Sequence, residues 1–417
     1  VTLTPEQKAA VAQWNSLGAQ VIDNSMRHFM PSWFANIRSL IRACAAFRLH
    51  SVKELVEWFH PRYDTFTVLG SGPSIPEIAK CIPRNHEALL CGPTCVGALT
   101  RYDITPDIIV VSDSNSEQYR HVVESQAHNP SLKIVLPVTC DPEWYSPVSV
   151  LDPSQLYFYL PYLSYEGSID LGFNQILKAL FPDVPWQITQ AGSVANAALN
   201  IADWCCGEDS SKRVYLAVDC SWVKGGAMRA PLRFETESHS EVLQRFWIAN
   251  NAPKHETIEL PWGGETVVTE LLPIGYAINM LYLIHEWERD FPFKQNRYAL
   301  VSEASKLFNA AAPAVLKPLV SANETSLVVT SEREDAWAYK TLLGLVEVSN
   351  RLHSRLRSEL ADKILVDWRR DHEVQNVVDI PLEDFRWVVR TVHAVEPSVA
   401  FRFNGQDVEV AKENPNA

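Results

Sequence analysis

The sequence predicts an α/β protein: a Rossmann-like, doubly wound, mostly parallel sheet with helical additions at its N-terminal and C-terminal ends. Three observations predict it. Short β-branched runs alternate with helical stretches from residue 61 onward. Runs such as Ile108-Ile109-Val110-Val111 are apolar on both faces, as a parallel strand covered on both sides must be. Strand ends are followed by turns of Gly, Ser, Pro and Asp, where open α/β sheets place their ligands.

Taken in order, residues 1–60 read as a helical region, with Val11, Trp14, Leu17 and Val21 at helical steps. The character changes at Pro61. Strands are expected at 65–69, 88–90, 108–111, 133–138, 156–160 and 213–218, and the α/β domain spans 61–330. Beyond residue 330 the strand pattern stops. Trp337, Leu342, Leu345, Val348 and Leu352 keep a helical period, so 331–417 is expected to be a helical tail. That tail would pack on the catalytic body or on another subunit. The closing residues AKENPNA are expected to fray.

Composition excludes several classes. The net charge of −13 argues against a nucleic-acid partner, though it leaves room for a local basic pocket. No apolar run reaches the roughly eighteen residues of a membrane span. The first residues lack a basic segment followed by an apolar one, so a cytoplasmic location is expected. The eight cysteines lie mostly in apolar segments at spacings that fit no zinc motif, and reduced core thiols are expected.

The most informative stretch is VLGSGPSIPEIAK, residues 68–80. Gly70, Ser71, Gly72 and Pro73 turn the chain after a strand, and Ser74 with Glu77 reads as a capping box opening a helix. Such a turn presents backbone N–H groups to a phosphate or carboxylate. The Walker lysine and the third glycine of a dinucleotide fingerprint are both missing, which disfavours a P-loop NTPase and NAD. Other strand ends add Gly92 and Thr94, then Asp113 with Ser112, and then Asp219. Carboxylates there can hold a ribose, a sugar or a metal bridging phosphates, while an Asp at a strand end can equally cap a turn. Gly192-Ser193 precedes a helix with an Ala-rich first face, and Ser193 reads as its N-cap.

Four of these elements, Gly70–Ser74, Tyr102–Val111 leading to Asp113, Ala191–Val194 and Val214–Asp219, occur in an order that resembles the Maf-type flagellin glycosyltransferase family. That family includes a hydroxymethylpterin diphosphokinase-like (MptE-like) branch. The segment from Glu265–Thr269 through Tyr276 to Ser302–Ala304 resembles its closing region, so the likeness covers residues 64–312. The order is also similar, more distantly, to bacterial sialyltransferases that use a CMP-activated sugar. Ser71 and Asp113 each stand where those enzymes have an asparagine. Cys220-Ser221-Trp222 stands where they have a tyrosine.

The resemblance implies a glycosyltransferase using a nucleotide-activated sugar, with a CMP-nonulosonic-acid type as donor and a protein or glycan as acceptor. Residues 70–74, Gly92, Thr94, Asp113, Gly192, Ser193 and Asp219 would bind the donor. His255 or His239 would be the base, a neutral imidazole being suited to proton removal near neutral pH, with Tyr276 and Glu303 as alternatives. A second reading is an ATP-dependent diphosphokinase with Mg²⁺ on Asp113 or Asp219. A third is a non-catalytic nucleotide- or sugar-binding protein, suggested by the missing asparagine and tyrosine.

Overall fold

The computed structural model describes residues 5, 29, 32–44, 47–60, 62–63, 65–79, 87–112, 116, 119–162, 168–189, 193–206, 212–216, 218–226, 257–262, 264–290, 298–301, 320–323, 326–329, 344, 346, 399–404 and 407–412. The main sheet is built by β1 (His50–Ser51), β2 (Thr65–Leu69), β3 (Glu87–Cys91), β4 (Ile108–Val110), β5 (Lys133–Pro137), β6 (Leu156–Tyr162), β7 (Gln187–Thr189), β8 (Lys212–Leu216) and β12 (Tyr298–Val301). Its order is β1-β6-β5-β4-β3-β2-β8-β12, with β7 also paired to β6, and every pairing is parallel. The expected Rossmann-like, doubly wound α/β class is the fold observed.

Strand alternation divides the core into two layers. Phe66, Val68, Ala88, Leu90, Ile108 and Val110 face one side, where α2 (Val52–Phe59), α7 (Val194–Cys206) and α8 (Leu271–Asp290) pack. Leu69, Leu89, Cys91, Ile109, Ile134 and Leu136 face the other side. That side is covered by α1 (32–43), α3 (Ile75–Ile78), α4 (Pro93–Leu99), α5 (Tyr119–His128) and α6 (Ser168–Leu180). The chain climbs from β2 to β6 through helices on this second face. Then α7 returns it across the first face to β8, beside β2. The connections leaving β2 and β8 thus depart to opposite faces. Between such neighbours a doubly wound sheet opens a crevice at its C-terminal edge.

Two expectations are corrected. The boundary near residue 60 falls inside the body: β1 pairs with β6, and Val52, Leu55, Val56 and Phe59 of α2 are in the core. Ser51 caps α2 through the amide of Lys53 (3.2 Å), with Glu54 completing a capping box. The C-terminal region is not all helical. Strands β15 (Val399–Asn404) and β16 (Asp407–Lys412) form an antiparallel hairpin, and residues 413–417 lie outside the described residues.

After β8 the chain leaves the main sheet and forms a smaller antiparallel one from β9 (Trp222–Val223), β10 (Thr257–Trp262) and β11 (Glu265–Glu270). Gly264, at φ 86°, supplies the left-handed residue of the tight turn joining β10 to β11. The hairpin β13 (Val320–Asn323) and β14 (Ser326–Val329) stands apart from both sheets in strand pairing. Among the described residues all cysteines are free; Cys91, Cys95, Cys140, Cys205 and Cys206 are buried, and Cys81 lies outside that set. No described helix is long and apolar enough to cross a membrane.

Asp107 clamps the lower end of β3 and β4, accepting the Leu89 amide at 2.9 Å. Burial raises its carboxyl above the ordinary range, against that hydrogen bond. Folding therefore favours the protonated form, and this contribution is lost as pH rises from the unfolded value near 3.8 through the raised folded one. In Asp107→Asn the acceptor oxygen remains and the charge does not. Urea melts at a series of pH values should show a flatter stability profile across that window than the parent shows.

Candidate functional site

The crevice at the C-terminal edge holds a cavity of about 340 Å³. Its floor and walls come from four strand ends. After β2, Leu69 leads into Gly70, Ser71, Gly72 and Pro73; after β3 come Gly92 and Thr94; after β4, Ser112; and after β8, Val218 to Ser221. The first turn of α7 supplies Ser193, Val194 and Ala195, and Trp222, Pro273 and Tyr276 close the far side.

Its central interaction lies beneath the glycine turn. Ser74 Oγ lies 2.8 and 2.7 Å from the two carboxylate oxygens of Asp219, to which it donates, and the Ser74 amide donates to Asp219 Oδ2 at 3.0 Å. Both residues are buried. The capping box expected at Ser74 is therefore not formed: the side chain makes no bond to the first turn of α3. A buried carboxylate must be matched by donors, and a partner 145 positions away wins over the local cap.

Asp219 is anchored to its surroundings in turn. Ser221 Oγ donates to the Asp219 carbonyl (3.0 Å), and Thr269 Oγ1 of β11 to the Cys220 carbonyl (2.8 Å). Cys220 sits at φ 50°, a strained conformation for a residue with a β-carbon. Burial, with the Asp219 charge beside it, raises the Cys220 thiol to about 12, so the neutral form lines the cavity.

The glycine turn is pinned from the other side, where Cys95 Sγ donates to the Gly70 carbonyl at 3.2 Å. Gly92 is the N-cap of α4. A β-carbon there would lie 2.6 Å from Val194 Cγ1, so glycine lets α7 reach the sheet edge. The expected cap at Ser193 is formed, its Oγ accepting the Asn196 amide at 3.2 Å. The amides of Val194 and Ala195 fall in the first helical turn, beyond intrahelical acceptors, and both residues line the cavity. Asn196 Nδ2 donates to the Tyr276 carbonyl (3.3 Å) and ties α7 to α8.

Eight of the expected site residues therefore line one cavity: Gly70, Ser71, Gly72, Pro73, Gly92, Thr94, Ser193 and Asp219. Ser74 supports them from below. Asp113, Gly192, His239, His255 and the alternative Glu303 lie outside the described residues, whereas Tyr276 is on the wall. Sequence reasoning offered neither Cys95 nor Pro273 as a site residue, and it named Ser221 and Trp222 only as standing in place of a tyrosine. The signal for Ser221 and Trp222 was their position directly after Asp219. No lysine, arginine or histidine is among the described lining residues, and hydroxyls and backbone amides are the available donors.

Two substitutions test this construction. Ser74→Ala leaves a buried carboxylate short of its hydroxyl donor and should cost about 1–3 kcal/mol in a denaturant titration. Gly92→Ala should cost about 1–3 kcal/mol through overpacking against Val194. Adding Val194→Ala should recover most of that loss in a double-mutant cycle, whereas additive losses would place the strain elsewhere.

Residues 38–210 match a protein-family model described as 6-hydroxymethylpterin diphosphokinase MptE-like. No curated protein matches the chain. Among solved structures it is similar to a Maf glycosyltransferase from Magnetospirillum magneticum AMB-1, at 14% identity and a TM-score of 0.38. That alignment covers 80% of this chain and 49% of the other, so the chain spans about half the length of that structure. The matched family segment contains the glycine turn, Gly92, Thr94 and Ser193, while Asp219 lies beyond it. Over residues 38–210 the chain is similar to the MptE-like family, the branch its strand-end motifs resemble.

Proposed function

We propose that the protein transfers a sugar from a nucleoside monophosphate donor, of the CMP-sugar type, to a hydroxyl of a protein or glycan. The observation that supports this reading is the cavity's chemistry. It offers hydroxyls and backbone amides, one internally satisfied carboxylate and no described cation. A single phosphodiester charge suits such donors, whereas a polyphosphate calls for cations or a metal. The volume, about 340 Å³, is near the lower end of the roughly 300–1,000 Å³ usual for ligand pockets and suits a mononucleotide.

In this reading the α7 amides, Ser193, Thr94 and the residue 70–73 turn hold the phosphate. They stabilise the charge that grows on its oxygen as the glycosyl C–O bond breaks, the electron pair leaving with the phosphate. The acceptor oxygen bonds the anomeric carbon, and its proton passes to a base, which we assign to His255 or His239. Ser74 keeps Asp219, and with it the floor of the site, in place.

The matched family model supports a second reading, pyrophosphate transfer from ATP to a pterin-like alcohol. Magnesium would then be required. Asp219 fits that role poorly, since both its oxygens accept from Ser74. Among the described residues no group of three or more His, Cys, Asp or Glu side chains converges on a point; Asp113, outside that set, would be the remaining ligand.

Thermal melts separate the two. At about a hundred times its Kd a ligand stabilises by about 2.7 kcal/mol. The first reading expects CMP to raise the melting temperature in metal-free buffer, and Gly92→Ala to weaken that effect. Protection by ATP with magnesium alone, and none by CMP, would favour the diphosphokinase.

A further inference from the structure

We propose that the opposite edge of the main sheet carries a second anion site, where Arg62 and Lys133 hold a phosphate-type dianion beside the indole of Trp58. Trp58, on the outer face of α2, is 39% exposed. The Arg62 guanidinium stacks 3.9 Å from its ring centroid and donates through Nη1 to the Trp58 carbonyl at 2.8 Å. The Lys133 ammonium approaches the same indole at 5.2 Å and the Tyr157 ring at 5.9 Å, and donates to Gln155 Oε1 at 2.5 Å. Two cations thus converge on one aromatic surface.

Neither cation makes an ion pair among the described residues. The described carboxylates nearby are otherwise engaged. Asp152 attracts Lys133 from a distance, but its oxygens accept from the Ser154 amide and hydroxyl, each at 2.9 Å. Glu54 binds Arg48 and His50, each at 3.0 Å, and Asp107 accepts from Leu89. Burial, and then the repulsion of Arg62, lower the Lys133 ammonium below its ordinary value, while Asp152 works against them. In a chain of net charge −13, these two neighbours, on which Asp152 acts from a distance and with which no described carboxylate pairs, form a local cluster of positive charge.

Two cations, one of them a planar fork suited to bidentate contacts, match a doubly charged tetrahedral oxyanion better than a single carboxylate. The indole and the Tyr157 ring hold both side chains in place, which reduces the ordering cost of binding. This site is separate from the cavity. Lys133 opens β5 and Tyr157 is the second residue of β6, at the N-terminal edge, whereas the cavity lies past the C-terminal ends. A five-residue strand, about 16 Å long, stands between the two edges.

The test is calorimetric titration of inorganic phosphate, with acetate as a monoanionic control at matched ionic strength. Phosphate should bind the parent with a Kd at least about tenfold lower than that of either Arg62→Gln or Lys133→Gln. Arg62→Lys and Lys133→Arg, which keep the charge, should retain most of the affinity. Melting curves in chloride confirm that each variant is folded. Equal phosphate affinity in the parent and both glutamine variants would overturn the proposal, as would acetate binding as tightly as phosphate. Because every comparison is between variants distant from the cavity, failure of CMP to bind would count against the transferase reading and leave this test intact.

Discussion

The buried contact between Ser74 and Asp219 is the constraint on which the site depends. β2 and β8 lie side by side, yet their onward connections leave for opposite faces. Divergence of this kind opens the crevice, and nothing in strand pairing holds its rim in one geometry. Asp219 does so by accepting from both the amide and the hydroxyl of Ser74. A carboxylate this deeply buried is tolerated only with its acceptors filled, so the two loops are bound together by the penalty of separating them. The left-handed Cys220 that follows is held by Thr269 from the second sheet, which carries the same constraint to β11 and α8.

That contact changes what the glycine turn can offer. The Ser74 amide, at the N-cap of α3, already serves an anion that belongs to the protein, and the Ile75 amide donates to the Gly72 carbonyl at 3.3 Å. In the proposed reading a phosphate would draw part of its donors from the first turn of α7, whose Val194 and Ala195 line the same cavity. Gly92 is what permits this, since any side chain there would push α7 away from the sheet. The glycines and serines of the crevice thus divide into those that shape it and those that face its contents.

Much of this was legible in the sequence, for identifiable reasons. The two-sided apolar runs at 65–69 and 108–110 could be read because a parallel strand buried on both faces leaves no alternative period. The strand ends fell together in one cavity because parallel strands deliver their C-terminal turns to one edge. The two-residue β1 was not legible, being too short to show a period. β10 and β11 were passed over in a segment of mixed polarity, although the Gly263-Gly264 pair between them is a hairpin signal. The error at Ser74 has a different origin. Ser-x-x-Glu is a local pattern, and no local pattern reveals that a carboxylate 145 positions away, past the end of the neighbouring strand β8, will claim the serine.

The charge layout bears on chemistry as much as on stability. An acidic protein repels nucleotides at long range, so its binding surfaces depend on short-range donors or on local cations. The structure separates these two solutions. The C-terminal edge gathers residues with amides and hydroxyls around a satisfied carboxylate, which in the proposed reading suits modest negative charge. The N-terminal edge sets Arg62 and Lys133 against aromatic rings, with an ion pair to neither among the described residues. A ligand of one phosphodiester charge and one of two phosphate charges would therefore be drawn to different ends of the same strands. Discrimination between them would then rest on which donors each edge lacks.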